Sequence, residues 1–122
     1  MAGARIWIVD AEHWPRAYLR AELIERGFDA VGFVAVDDAL AALALGRPRP
    51  RLAVVDLRGQ PSDPRRLAPL LRFGFPVVAV GGAAEWAAAR HHPWAAFLRR
   101  PLTIGAVADE VERRLAAAPG GG

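Results

Sequence analysis

Leu52-Ala53-Val54-Val55-Asp56 is the stretch that decides the fold, and Ile6-Trp7-Ile8-Val9-Asp10 repeats its form. Each is a run of four apolar residues, rich in β-branched types, that stops at an aspartate. Such a run reads as a strand buried on both faces, the kind found in parallel sheets with helices on either side. In an open parallel sheet, ligands bind outside the carboxyl ends of the strands. Two strands of this kind therefore place Asp10 and Asp56 together at the functional edge.

Outward from these two strands the chain alternates strand and helix five times. Strand one is read as Arg5–Val9. Helix one starts near Trp14, with Pro15 suited to a first turn, and ends at Gly27. Its apolar positions Tyr18, Leu19, Leu23 and Ile24 cluster at helical spacing and predict a packed face. Strand two is Ala30–Val34. Asp37 or Asp38 is expected to cap helix two, Ala39–Leu45, which stops at Gly46. Strand three is Leu52–Val55, and a Gly/Pro-rich loop runs from Gly59 to Pro64. Helix three, Arg65–Arg72, leads to strand four, Pro76–Val80, which Gly81-Gly82 ends. Helix four is Ala84–His91, broken by Pro93, and strand five is the short Ala95–Leu98. Thr103 caps helix five, Ile104–Ala117, with Ile104, Val107, Val111 and Leu115 on one stripe. Asp109, Glu110, Glu112, Arg113 and Arg114 are assigned to its other face. Strands joined by single helices predict right-handed crossovers and a parallel sheet. A single domain over residues 1–118 is expected, with 119–122 a tail or the start of a linker.

Composition narrows the function. A chain of 122 residues, 53% hydrophobic, is long enough for one domain with a real core. No apolar run approaches the roughly 18 residues of a membrane span. No signal-peptide core precedes the first strand, so the cytoplasm is the expected location. The absence of cysteine excludes thiol catalysis, disulfides and Cys-based zinc sites. His13, His91 and His92 lack metal-ligand spacing, and Gly81-Gly82 lacks a nucleotide-binding fingerprint. All 16 basic residues are arginine, yet the formal net charge is only +3, a weak basis for nucleic-acid binding. Lysine is missing altogether. Ser62 and Thr103 are the only aliphatic hydroxyl residues.

In order and spacing, several segments resemble the receiver domain of bacterial two-component response regulators. They are Ile8-Val9-Asp10, Gly27-Phe28, Arg47-Pro48, Val54-Val55-Asp56-Leu57-Arg58, Pro76-Val77-Val78 and Arg100-Pro101. The resemblance covers nearly the whole chain. It implies a flavodoxin-like (CheY-like) three-layer α/β fold: a five-stranded parallel sheet in the order 2-1-3-4-5, with five helices. It also implies Asp56 as phosphoacceptor, and Mg²⁺ on Asp10, Asp56 and the backbone carbonyl of Arg58. Arg100 stands at the position of a lysine that pairs with the phosphoryl charge. Gly81 and Phe97 stand at the switch positions, where receivers place a hydroxyl residue and an aromatic. In receivers the fourth helix, fifth strand and fifth helix commonly meet partners, which makes Trp86, Trp94 and Phe97 interface candidates.

The chain departs from the family at most helper positions. Ala11 stands where a second acid is usual, with Glu12 one residue too late. Gly81 brings no hydroxyl, and Phe97 none either. The metal and the cations normally neutralise charge on the transferring group, so their loss weakens both Mg²⁺ binding and phosphotransfer. Arg100 is longer than lysine and can reach Asp56 or Asp10, holding one state. The resulting expectation is an atypical receiver: a signalling module that meets a histidine kinase or another protein, possesses no enzyme activity beyond self-phosphotransfer and dephosphorylation, and forms a homodimer through the fourth-helix face. The competing readings are a working Mg²⁺-dependent phosphoacceptor and a small doubly wound enzyme or ligand binder.

Overall fold

The computed structural model describes residues 3–61 and 63–117. The expected tail, 119–122, lies outside the described residues. Five strands, β1 (Arg5–Val9), β2 (Asp29–Phe33), β3 (Leu52–Asp56), β4 (Val77–Gly81) and β5 (Ala96–Arg99), form one parallel sheet in the order β2-β1-β3-β4-β5. The helices are α1 (His13–Glu25), α2 (Val36–Ala44), α3 (Pro64–Leu71), α4 (Ala83–Ala89) and α5 (Ile104–Ala117). The strand order expected of a doubly wound sheet is therefore present.

The period of two along each strand divides the core. Ile6, Ile8, Val54, Val78 and Val80 face one way and pack against Leu19 and Leu23 of α1 and Val107 and Val111 of α5. Trp7, Val9, Val55, Val77 and Ala79 face the other way, against α2, α3 and Ala89 of α4. Because both faces are covered, β3 and β4 are buried along their whole lengths. That is why their sequences run apolar without alternation.

Three sequence expectations need correction. Of the four apolar positions on α1, only Leu19 and Leu23 are buried; Tyr18 and Ile24 point outward, Tyr18 stacked beside the exposed Trp14 with ring centroids 5.8 Å apart. The α2 cap is neither Asp37 nor Asp38: the N-cap position is Ala35, and Asp38 Oδ2 only accepts its amide at 3.2 Å. The stronger cap comes from Gln60, whose Oε1 accepts the Val36 amide at 3.0 Å and whose Nε2 donates to the Val34 carbonyl at 2.8 Å. Glu110, assigned to the solvated face of α5, is buried, with Arg113 and Arg114 folded over its carboxylate.

Candidate functional site

The register of the central strands builds the site. Val9 lies beside Val55, and Asp56 lies beside Val80, so the chain leaves β1, β3 and β4 at one edge. Asp10 follows β1 and Asp56 closes β3. Both are buried, at 4% and 8% exposure. Each is held by a turn of its own making. Asp10 Oδ1 accepts the Glu12 amide at 2.9 Å, and Asp56 Oδ1 accepts the Arg58 amide at 3.0 Å. An aspartate that bonds the backbone two residues on is the usual start of a loop, which is why both strands stop there. The two loops meet closely: Gly59 has φ +79°, and a Cβ there would lie 2.9 Å from the Ala11 methyl.

Two arginines complete the electrostatics. Arg100 follows β5 and begins a cis peptide bond to Pro101. Its Nη2 donates to Asp56 Oδ2, and its Nη1 lies 3.9 Å from Glu85 Oε1. Arg58 Nη2 pairs with Glu12 at 2.7 Å and lies 3.9 Å from Asp56 Oδ2. The Arg58 Nε is buried with no acceptor. The Asp10 carboxylate, in contrast, has no arginine bonded to its oxygens among the described residues, although Arg16 Nη1 donates to the Asp10 backbone carbonyl at 2.8 Å. Burial raises its pKa, a backbone hydrogen bond from Glu12 opposes this, the negative charge of Asp56 adds to the rise, and the charge of Arg58 opposes it.

These contacts also decide how the residues suit Mg²⁺. Asp56 Oδ2 is engaged by a guanidinium and Glu12 by another, which leaves Asp10 as the one site carboxylate without a cation. No group of three Asp, Glu, His or Cys side chains converges as a metal site among the described residues. The donor set fits the ion poorly, because two positive groups already stand where it would bind.

Gly81 and Phe97, expected at the switch positions, are closed in by packing. Gly81 ends β4, and a Cβ built there would meet Glu85 Cβ at 2.8 Å and Phe97 Cζ at 3.2 Å. Helix α4 and the Phe97 ring therefore fill the space that a hydroxyl-bearing side chain needs. Glu85 is fixed in place by the Gly82 amide, which donates to its Oε1 at 2.9 Å. Phe97 packs against the core cluster and edge-on to Trp86, with centroids 5.0 Å apart. Trp94 also packs inward, its indole N–H donating to the Ala89 carbonyl at 2.9 Å. Of the three aromatics considered for an interface, these two serve the core, and half-buried Trp86 lies under Arg99 at 5.8 Å. Glu85 was missed by sequence reasoning, since no motif marks an acid one turn into α4.

Beneath the charged edge, a cavity of about 220 Å³ opens between α1, α5 and the sheet. Asp10, Asp56, Arg58 and Arg100 line it together with apolar side chains from both helices and the sheet.

No protein-family model matches the chain, and no curated protein matches it. Solved structures do. A response regulator receiver protein from Pseudomonas putida is 27% identical with a TM-score of 0.74, covering 93% of this chain and 98% of its own. A CheY-like receiver domain from Methanospirillum hungatei JF-1 has a TM-score of 0.78 at 18% identity, covering 99% and 100%. NtrX from Brucella abortus, solved in complex with ATP, is 27% identical with a TM-score of 0.75; 95% of this chain is covered, and it spans only 27% of the NtrX chain. No described helix is long and apolar enough to cross a membrane. The strand order, the paired strand-end carboxylates and these neighbours together give the chain the CheY-like fold of receiver domains.

Proposed function

We propose that the chain acts in two-component signal transduction as a protein-interaction module in which phosphotransfer at Asp56 is slow or absent. The observation that supports this most is Arg100 Nη2 on Asp56 Oδ2. Phosphoryl transfer relies on positioning and on positive groups that meet the charge of the incoming phosphoryl. Here one Asp56 carboxylate oxygen is held by the Arg100 guanidinium and the other by the Arg58 amide, and the packing of Glu85 and Phe97 against Gly81 supports the lack of a second oxygen-binding group. The poor donor set for Mg²⁺ supports the same reading. The partner is a histidine kinase or another signalling protein, and a homodimer through α4, β5 and α5 would use Trp86 as its anchor.

Amide NMR spectra with and without acetyl phosphate and Mg²⁺ test the proposal. The expected result is no shift at residues around Asp56 or along α4 and β5. A new set of resonances spreading from Asp56 to Phe97 overturns it in favour of a working phosphoacceptor.

A further inference from the structure

We infer that the cavity beneath the strand-end carboxylates is a binding site for a small, largely apolar amine. Most of the cavity lining is hydrocarbon, with Ile8, Leu19, Val54, Leu102, Ile104 and Val107 among it. Its volume, about 220 Å³, exceeds the roughly 150 Å³ of a dry apolar cavity that takes up benzene. A single aromatic or alicyclic ring therefore fits its depth.

Charge in the lining selects the ligand's polar end. Asp10 and Asp56 line the cavity together with the guanidiniums of Arg100 and Arg58; Glu12 pairs with Arg58 beside it, and Arg16 Nη1 donates to the Asp10 backbone carbonyl at 2.8 Å. Arg100 is paired with Asp56 and Arg58 with Glu12. Asp10 remains, buried, with only the Glu12 amide on Oδ1. A buried carboxylate with no guanidinium on its oxygens, lining a mostly apolar cavity, calls for a positive charge on an apolar body. An ammonium supplies it with N–H donors in place. An anion is disfavoured because both guanidiniums are already engaged. The class is thus a ring-bearing amine. Binding there would press on α1 and α5, so the site would couple a small molecule to the surface of those helices. The inference does not depend on the fate of Asp56 in phosphotransfer.

The test uses three probes of one size: 2-phenylglycinol, which carries amine and hydroxyl; 2-phenylethanol, which lacks the amine; and phenylacetate, which is an anion. Affinities are read by amide NMR titration of the whole chain. The expected result is that 2-phenylglycinol binds about tenfold or more tighter than 2-phenylethanol, the effect of one charged hydrogen bond. Shifts should centre on Leu19, Ile104 and Val107, and phenylacetate should not bind. Asp10→Asn should remove the preference for the amine and keep the neutral probe's affinity. Ile104→Trp, at a partly buried position in the lining, should abolish all binding, with far-UV and near-UV CD reporting that the variant is folded. Equal affinities for the amine and the alcohol, shifts centred outside the cavity, or an Asp10→Asn variant that keeps the amine preference would each overturn the inference. Labelling of Asp56 by acetyl phosphate in a chain that still prefers the amine overturns the interaction-module reading alone.

Discussion

Truncating Arg100 to alanine is expected to destabilise the domain by about 2 kcal/mol, and the figure follows from the surroundings of Asp56. Breaking a fully buried ion pair costs about 3–5 kcal/mol, because the remaining charge stays desolvated. A hydrogen bond to a charged group in a less enclosed setting contributes about 1.5–3 kcal/mol. The Asp56 and Arg100 side chains are 11% and 25% exposed, so water screens the pair in part. Asp56 also retains the Arg58 amide at 3.0 Å and the Arg58 guanidinium at 3.9 Å. Both effects move the cost below the buried-pair range, to about 2 kcal/mol, or about 8 °C in Tm for a domain of this size. Urea unfolding of the wild type, Arg100→Ala, Asp56→Asn and the double variant gives the coupling energy directly. The cycle should return a coupling above about 1 kcal/mol, with the Arg100→Ala penalty largely relieved once residue 56 is neutral. A penalty below about 0.5 kcal/mol with no coupling is what an exposed ion pair gives, and it would refute the reasoning.

Other consequences follow from the same contacts. Gly81→Thr forces a Cβ into the space held by Glu85 and Phe97, and should cost about 1–3 kcal/mol in denaturant melts without creating phosphotransfer. Asp10→Asn should raise Tm at neutral pH. Burial raises the Asp10 pKa above its unfolded value of 3.8, so the ionised form costs stability once pH exceeds the folded pKa. The advantage of the variant should shrink as pH falls through that raised value; a variant less stable than wild type at pH 7 contradicts this. Thr103→Ala removes the Oγ1 acceptor of the Ala106 amide at 3.0 Å, and should cost about 1 kcal/mol, seen as a lower midpoint at unchanged m.

Much of this was legible in the chain, and the reasons are physical. Strands covered on both faces must be apolar throughout, so Leu52–Val55 and Val77–Val80 could be read without a structure. An aspartate after such a run marks the loop, which placed Asp10 and Asp56 at one edge. Thr103 before Ile104 was likewise a local signal, because a cap bonds within its own turn. The misreadings share one cause: they depend on contacts remote in sequence. Tyr18 and Ile24 are apolar at helical spacing, yet the α1 face that packs is set by where α5 and the sheet lie. Gln60 caps α2 from 24 residues away, a relation no local pattern encodes. Glu110 is buried because two arginines on the next turn cover it, and their reach is invisible in a helical wheel. In the site, the identities of Gly81 and Phe97 were plain from the sequence. That Glu85 and the Phe97 ring fill the empty position follows only from how α4 docks on β4 and β5.

The central claim is that the chain keeps the receiver scaffold while Arg100 occupies the carboxylate where the chemistry would begin. Intact-mass spectrometry of the protein after incubation with acetyl phosphate and Mg²⁺, with Asp56→Asn as control, tests it most directly. The account predicts that the unmodified mass remains the dominant species for both proteins throughout the incubation. Accumulation of a phosphorylated species in the wild type that is absent from Asp56→Asn would contradict it.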